Sequence, residues 1–336
     1  MINKKIFITI SNDFRFFKTQ NIFDKNVDVE LTKFQILREY LLKDGIELTG
    51  NYGEKDIDKY IYFNVPYLTL KYWPYIIWNR KSSFLFCWEP PFVNPFNYFK
   101  LLHIFFNKVF VFDKKIEDKK KYFQVRCFQN SINMHTSVVD FNKKSFLVLI
   151  NANKLPFILF KILCLKTKSL YEERIRVIEY FEKRKIPFDL YGKGWNRIKK
   201  YNIREALFGF KKYSRYKGSI ENKNELLSKY KFCICFENSI QPGFITEKIF
   251  DCFKAKCVPV YWGAPDISLY IPQGCFIDFR KFKNLDEMVI YLESIGENEY
   301  LQYIRNIEAF LYNPNTQKEW FEDELKEKIN FIIKCQ

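Results

Sequence analysis

The sequence predicts an α/β protein built from two doubly wound domains that face one another across a cleft. Its 336 residues exceed what one modest core organises and suit two α/β domains. Short apolar runs alternate with stretches of helical spacing, as parallel sheets built from βαβ units require. That alternation comes in two series, with a junction near residues 141–146.

In the first series, strands are expected at IFITI (6–10), YIYFNV (60–65), FLFCW (84–88) and KVFVF (108–112). The segment VELTKFQILREYLLKDG has helical spacing and closes on Gly45, a residue that stops helices by entering the left-handed region. The second series supplies FLVLIN (146–151), FDLYG (188–192), FCICF (232–236), VPVYW (258–262) and CFIDF (275–279), with helices at YEERIRVIEYFEKRK and NLDEMVIYLES. The last segment, TQKEWFEDELKEKINFIIKC, reads as one amphipathic helix able to pack back on the first domain. The expected units are therefore residues 1–144, 145–315 and 316–336. No internal repeat or low-complexity tract interrupts them.

Composition excludes disorder, because 48% of residues are hydrophobic and 19% aromatic. The abundance of Phe, Tyr, Lys, Asn and Ile matches an AT-rich coding bias and carries no functional signal of its own. The chain carries 55 Lys and Arg against 39 Asp and Glu, a formal charge of +16. Such a balance favours anionic partners, although a solvated Lys-rich surface accounts for it equally well. Basic clusters fall at Lys114–Lys121, Arg174–Lys185 and Lys193–Lys217. None accompanies a nucleic-acid-binding signature, so no nucleic-acid partner is expected.

Nine cysteines show no CxxC pair and no metal-type spacing, and the two histidines, His103 and His135, leave little for zinc chemistry. Buried free thiols in a reducing compartment are expected. The start MINKKIFITI reads as a strand and not a secretory leader, and no Asn-x-Ser/Thr sequon occurs. The apolar run at 157–165 is short of a bilayer span and contains Lys161. These features point to a cytoplasmic protein, with peripheral contact to the inner face of an anionic membrane permitted.

The densest chemistry lies between Phe232 and Phe279: FCICFENSIQPGFITEKIFDCFKAKCVPVYWGAPDISLYIPQGCFIDF. FCICF is a buried parallel strand in pattern. Glu237, Asn238 and Ser239 follow at its end, where open α/β sheets place ligand groups. Thr246 sits as an N-cap, with Glu247 and Lys248 in the first helical turn. A Lys there opposes the positive end of the helix dipole. A bound anion would rationalise it, since free amides at a helix start favour phosphate.

This segment closely resembles the α1,3/α1,4-fucosyltransferase family, whose hallmark is FEN, then a (Y/F)-(I/V)-T-E-K helix start, then VPVYWG-(A/S)-P. Weaker similarity extends from WEPP at 88–91 through LYGKG at 190–194. The resemblance implies a GT-B architecture of two Rossmann-like domains, acceptor domain first and donor domain second. It also implies GDP-fucose as donor and an inverting mechanism, with no essential divalent metal. The acceptor would be a hydroxyl of a GlcNAc- or Glc-containing glycan, free or lipid-linked, in α1,3 linkage.

Departing GDP develops negative charge that a metal-free site must meet with cations and aligned amides. Lys248 is one candidate. Arg174 aligns with the family's diphosphate-binding arginine, and Arg176 competes for that role; either also suits a helix ion pair with Glu172, Glu173 or Glu179. Glu247 resembles the family's donor-recognition carboxylate, whose two oxygens suit a diol, but it also compensates the helix dipole. Glu237 and Asn238 are candidates for holding donor and loop, and a turn role explains Asn238 as well. Phe244 stands where many relatives have Tyr, which removes a hydroxyl contact to the donor. Thr246 completes the helix start. Lys193, with Gly192, lies in a loop expected near the nucleotide. Gly263 allows close approach in WGAP, and Pro265 fixes its turn.

Inverting transfer needs a base facing away from the leaving group. Glu89 aligns with the family's proposed base, though Glu-Pro-Pro replaces the usual Glu-Ser-Pro. Trp88 and the prolines are expected to desolvate it and raise its pKa. Asp56-Ile-Asp58 has metal-binding DxD spacing but precedes a strand, so a surface role is expected. The alternatives are a transferase for another nucleotide sugar and a catalytically silent glycan- or nucleic-acid-binding protein on the same scaffold.

Overall fold

The computed structural model describes residues 4–10, 32–51, 53–129, 140–154, 158–164, 167–196 and 211–335. His135, the residues before Lys4, Val29–Leu31, Phe157, Leu165 and the 197–210 part of the third basic cluster lie outside them.

Two parallel sheets form. The first contains β1 (Lys4–Ile10), β2 (Ile46–Thr49), β3 (Lys59–Phe63), β4 (Ser83–Phe86), β5 (Lys108–Val111) and β6 (Tyr122–Gln124), in the order β2-β1-β3-β4-β5-β6. The second contains β7 (Ser145–Ile150), β8 (Asp189–Tyr191), β9 (Tyr230–Phe236), β10 (Val258–Trp262) and β11 (Ile277–Asp278), in the order β11-β10-β9-β7-β8. Every pairing between neighbours is parallel. Parallel strands are covered on both faces, which is why they read as unbroken apolar runs in the sequence. Strand β2 (IELT) and strand β6 (YFQ) are short and partly polar, and periodicity did not reveal them.

Alternate residues of each strand serve opposite layers. Ile6, Ile8, Phe84 and Phe86 pack with Phe34 and Leu37 of the Thr32–Lys43 helix and with Leu325 and Ile329 of the Glu322–Lys334 helix. On the other face, Phe7, Tyr62 and Leu85 meet Tyr72, Ile76 and Phe106. The chain's last helix therefore closes the core of the first sheet. It is not one helix with its predecessor, as the sequence suggested. Pro314–Trp320 ends at Phe321, whose φ of −112° and ψ of −156° are extended. Trp320 and Phe321 both pack on Phe250, at ring distances of 5.0 and 6.1 Å. Adjacent residues of a continuous helix point about 100° apart, so burying both against one ring requires the break.

The halves meet at specific points. The Tyr98 hydroxyl accepts from Gln241 Nε2 at 2.8 Å, and Gln124 Nε2 donates to the Tyr270 hydroxyl at 3.0 Å. Phe244 packs edge-on against Phe112 at 5.3 Å. Gly243, at φ +68°, lets this contact form, because a Cβ there would lie 2.1 Å from the Phe112 carbonyl oxygen.

Candidate active site

The C-terminal end of β9 organises the second half's polar residues. Glu237 has no solvent exposure. Its carboxylate accepts from the Thr246 backbone N–H at 2.8 Å, from the Thr246 hydroxyl at 2.9–3.0 Å and from Lys248 Nζ at 3.1 Å. Thr246 is the N-cap of the Glu247–Lys254 helix by position, but its hydroxyl is turned to Glu237 and does not cap. Lys248 Nζ also donates to the Thr246 hydroxyl at 2.9 Å and lies 3.5 Å from Glu247. The dipole-opposed lysine thus has a buried counter-charge of its own, where sequence reasoning invoked only an anion. Burial works against its charge, yet Glu237 and Glu247 more than offset that and raise its pKa.

Gly263 faces this cluster. A Cβ there would stand 2.5 Å from Glu237 Cγ and 2.4 Å from the Tyr261 hydroxyl. The Tyr261 hydroxyl in turn accepts from the Ala264 N–H at 3.0 Å. The small residue is required by the approach of Glu237, not by its own φ.

Arg174, on the Tyr171–Glu182 helix, is 1% exposed. One terminal nitrogen donates to the Phe236 carbonyl and, at 3.0 Å, to Asn238 Oδ1. The other, Nη1, is buried with no hydrogen-bond partner. Burial lowers the Arg174 pKa from its ordinary value, and neighbouring Tyr171 and Glu237 partly offset this. Arg176, by contrast, projects into solvent and pairs with Glu173 at 3.1 Å. Asn238 does more than make a turn: its carbonyl accepts from the N–H of Leu170, the N-cap of the arginine's helix, at 3.1 Å.

Arg174, Lys248, Lys223, Asn151, Phe236 and Cys252 line one cavity. Lys223 pairs with Asp251 at 2.6 Å. Three cations (Arg174, Lys223, Lys248) therefore face three carboxylates (Glu237, Glu247, Asp251). Affinity for an anion here is a matter of which N–H groups are left over, and Arg174 Nη1 is such a group. A buried donor without a partner costs about 1–3 kcal/mol, more when charged, and a ligand oxygen would recover it.

Glu89 comes from the other half, in the loop after β4. Its N–H and that of Trp88 donate to Asn64 Oδ1 at 2.7 and 3.0 Å. Its carbonyl accepts from Asn97 Nδ2 and lies 3.1 Å from the Tyr98 hydroxyl. Asn64, buried and at φ +76°, anchors the loop; the sequence places it inside the expected strand YIYFNV, but β3 ends at Phe63. Glu89 is half-buried. Tyr171 lies between the two halves' groups: its ring is 5.1 Å from the Arg174 guanidinium carbon, and Glu89, Arg174 and Lys248 all act on its hydroxyl. Burial is the main reason that its pKa is raised. Sequence reasoning missed Tyr171, which sits one helical turn before Arg174 and is signalled only by that spacing.

The expected donor positions Phe244 and Lys193 do not line the cavity. Phe244 is 3% exposed and belongs to the core of the first half. Lys193 is exposed in the loop after edge strand β8, where its carbonyl accepts from Asn153 at 2.9 Å. Gly192 before it, at φ +130°, abuts the Asn151 carbonyl. Asp58 binds the Lys5 N–H at the start of β1, and Asp56 is exposed. His103 is buried between Tyr122 and the Asn97 carbonyl. Among the described residues no group of three or more His, Cys, Asp or Glu is arranged to hold a metal ion. Nor is any helix among them long and apolar enough to cross a membrane.

Residues 161–335 match the family described as glycosyltransferase family 10 (fucosyltransferase), C-terminal part. Over 88 residues the chain is 39% identical to alpha-(1,3)-fucosyltransferase FucT of Helicobacter pylori, covering 26% of this chain and 18% of that protein. Over 130 residues it is 33% identical to 4-galactosyl-N-acetylglucosaminide 3-alpha-L-fucosyltransferase 9 of Mus musculus, covering 35% and 36%. The matched segments thus span well under half of these relatives. Among solved structures, an alpha1,3-fucosyltransferase with GDP superposes with a TM-score of 0.54 at 20% identity, over 98% of this chain and 89% of that one. HepE from Anabaena with UDP-glucose gives 0.55 at 7% identity, over 99% and 100%. At such identities the likeness is one of fold: two parallel-sheet domains in the GT-B arrangement.

Proposed function

This chain belongs to glycosyltransferase family 10, and we propose that it transfers fucose from GDP-fucose, with inversion, to a hydroxyl of a GlcNAc- or Glc-containing glycan in α1,3 linkage. One observation carries this reading beyond the family: the buried, unpartnered Nη1 of Arg174 beside Lys248 at a helix start that Thr246 does not cap. Diphosphate oxygens supply what that nitrogen lacks, and charge-assisted bonds to phosphate are among the stronger hydrogen bonds.

In this mechanism Glu89 takes the proton from the acceptor hydroxyl as its oxygen attacks the anomeric carbon. The carbon–oxygen bond to the β-phosphate breaks, and its electron pair leaves with GDP. Arg174 and Lys248 stabilise the charge that grows there. No protonated acid is required, because phosphate leaves as an anion, and no divalent metal is required, because these cations stand in its place. Glu247, 44% exposed at its side chain, contacts donor hydroxyls. Glu237, fully enclosed, positions Lys248 and Thr246 without touching the donor, and Asn238 positions Arg174. The nine free cysteines, eight of them buried, support a reducing, cytoplasmic setting. The test is product analysis by mass spectrometry after incubation of an acceptor array with GDP-fucose, beside a panel of other GDP- and UDP-sugars. Transfer from GDP-fucose alone, unaffected by chelator, is expected; transfer only from another sugar nucleotide would overturn the donor assignment.

A further inference from the structure

Outside the cleft, the first half carries a surface that its own core does not explain. Leu70, Trp78 and Leu101 are 70%, 79% and 76% exposed, Ile104 and Ile162 are more than half exposed, and Ile77 is nearly so. They form one face. Trp78 and Ile77 end the Trp73–Trp78 helix, whose Ile76 points inward. Leu101 and Ile104 lie three residues apart on the Lys100–Phe105 3₁₀-helix, where such positions eclipse. Trp73 and Phe105 join these two elements, with rings 5.7 Å apart. Tyr67, stacked on Phe96 at 5.0 Å and edge-on to Phe160 at 5.7 Å, joins them to the Ile158–Leu163 helix that bears Ile162.

The part of this face in the first half is one-sided in charge, whereas on the adjoining Ile158–Leu163 helix Lys161 is paired with Glu172. From Pro66 to Phe112 the sequence has five basic residues (Lys71, Arg80, Lys81, Lys100 and Lys108) and one carboxylate, Glu89, which belongs to the cleft. Arg80, Lys81 and Lys100 are exposed beside the apolar side chains. Protruding Trp and Leu within a basic margin match an interface of acyl chains beneath anionic headgroups. A protein partner or a second copy would have to supply carboxylates that this face cannot offer itself.

We propose that this face docks the protein on an anionic membrane surface, with Trp78, Leu70 and Leu101 inserted and Arg80, Lys81 and Lys100 at headgroup level. The docked face borders the loop of Glu89. Tyr98, which leads into it, lies 3.1 Å from the Glu89 carbonyl, and Cys164 Sγ contacts the Pro91 carbonyl at 3.3 Å. A glycan anchored in that membrane would meet Glu89 from the membrane side. Docking itself does not depend on the fucosyl-transfer reading, whereas this delivery of acceptor does.

The experiment is co-sedimentation of the full chain with phosphatidylcholine vesicles, with and without phosphatidylglycerol. Binding is expected only to the anionic vesicles, and high salt should weaken it. Trp78→Asp with Leu101→Glu should abolish it, and Arg80→Gln with Lys81→Gln should lower it about 30-fold, at about 1 kcal/mol for each basic residue near the surface. Both variants should keep the wild-type melting temperature, GDP affinity and transfer to a soluble acceptor, because none of these residues touches the cleft. Equal binding by variants and wild type, or no preference for the anionic lipid, would overturn the proposal. So would self-association of the wild type, in sedimentation velocity, that the Trp78→Asp and Leu101→Glu variant loses. If GDP fails to bind while vesicles do, the functional reading falls and the docking surface stands.

Discussion

Glu237→Gln separates a positioning role from direct donor contact. The carboxylate is fully buried and accepts three donors, from the Thr246 N–H, the Thr246 hydroxyl and Lys248 Nζ. An amide keeps the shape, removes the charge and points an NH2 group at one of those donors. Removing one partner of a buried pair costs roughly 3–5 kcal/mol. The Lys248 side chain retains 19% exposure and Gln still offers one oxygen, so about 3 kcal/mol is expected. For a unit the size of the second half, that lowers the melting temperature by about 6–12 °C. The assay is thermal unfolding of the ligand-free protein, followed by calorimetric titration with GDP, which should bind at least about tenfold more weakly as Lys248 loses its anchor. Combining Glu237→Gln with Lys248→Met should cost less than the sum of the single changes, because the two share one interaction. An unchanged melting temperature with weakened GDP binding would overturn the positioning role, for it would make Glu237 a ligand contact and not a scaffold.

Glu89→Gln should slow transfer by about 10²–10⁴-fold, the range for a general base, while GDP affinity in the same titration stays within a few-fold; retained turnover would remove Glu89 from the role. Gly263→Ala forces a methyl against Glu237 and Tyr261, so a loss of about 1–3 kcal/mol by denaturant unfolding is expected, with weaker GDP binding alongside. Glu182 accepts from the Ser214 N–H and hydroxyl and from the Arg215 N–H; burial opposes its charge, but these bonds win and its pKa is lowered below 4.5. Its contribution is complete above that ordinary value and is lost as pH falls through the lower folded value. Acid unfolding curves should therefore be shallower in that window for Glu182→Gln, and identical curves would discard the contribution.

Much of the fold was legible because parallel strands buried on both faces leave unbroken apolar runs. FCICF and VPVYW are strands β9 and β10 almost to the residue. The short β2 and β6 were not legible, since four or three residues of mixed polarity carry no period. The break at Phe321 depends on a distant ring, Phe250, that no local pattern reveals. In the site, the motif located Glu237, Thr246 and Lys248 together, but their mutual bonding is tertiary: the sequence cannot say that Thr246 turns from its helix toward Glu237. Its place inside the motif makes Phe244 an expected donor neighbour, yet its ring faces Phe112, more than a hundred residues earlier. Asn64 and Tyr171 belong to no motif: Asn64 gains its significance from tertiary bonds to Trp88, Glu89 and Asn97 within the first half, and Tyr171 from its place between groups of the two halves.

A crystal of the protein soaked with GDP measures the central geometry directly: the distances from Arg174 Nη1 and Lys248 Nζ to the diphosphate oxygens. Both nitrogens within hydrogen-bonding reach, with the Glu89 carboxylate across the cleft from the β-phosphate, is the predicted result. A diphosphate bound elsewhere, with Arg174 Nη1 still unpartnered, would contradict it.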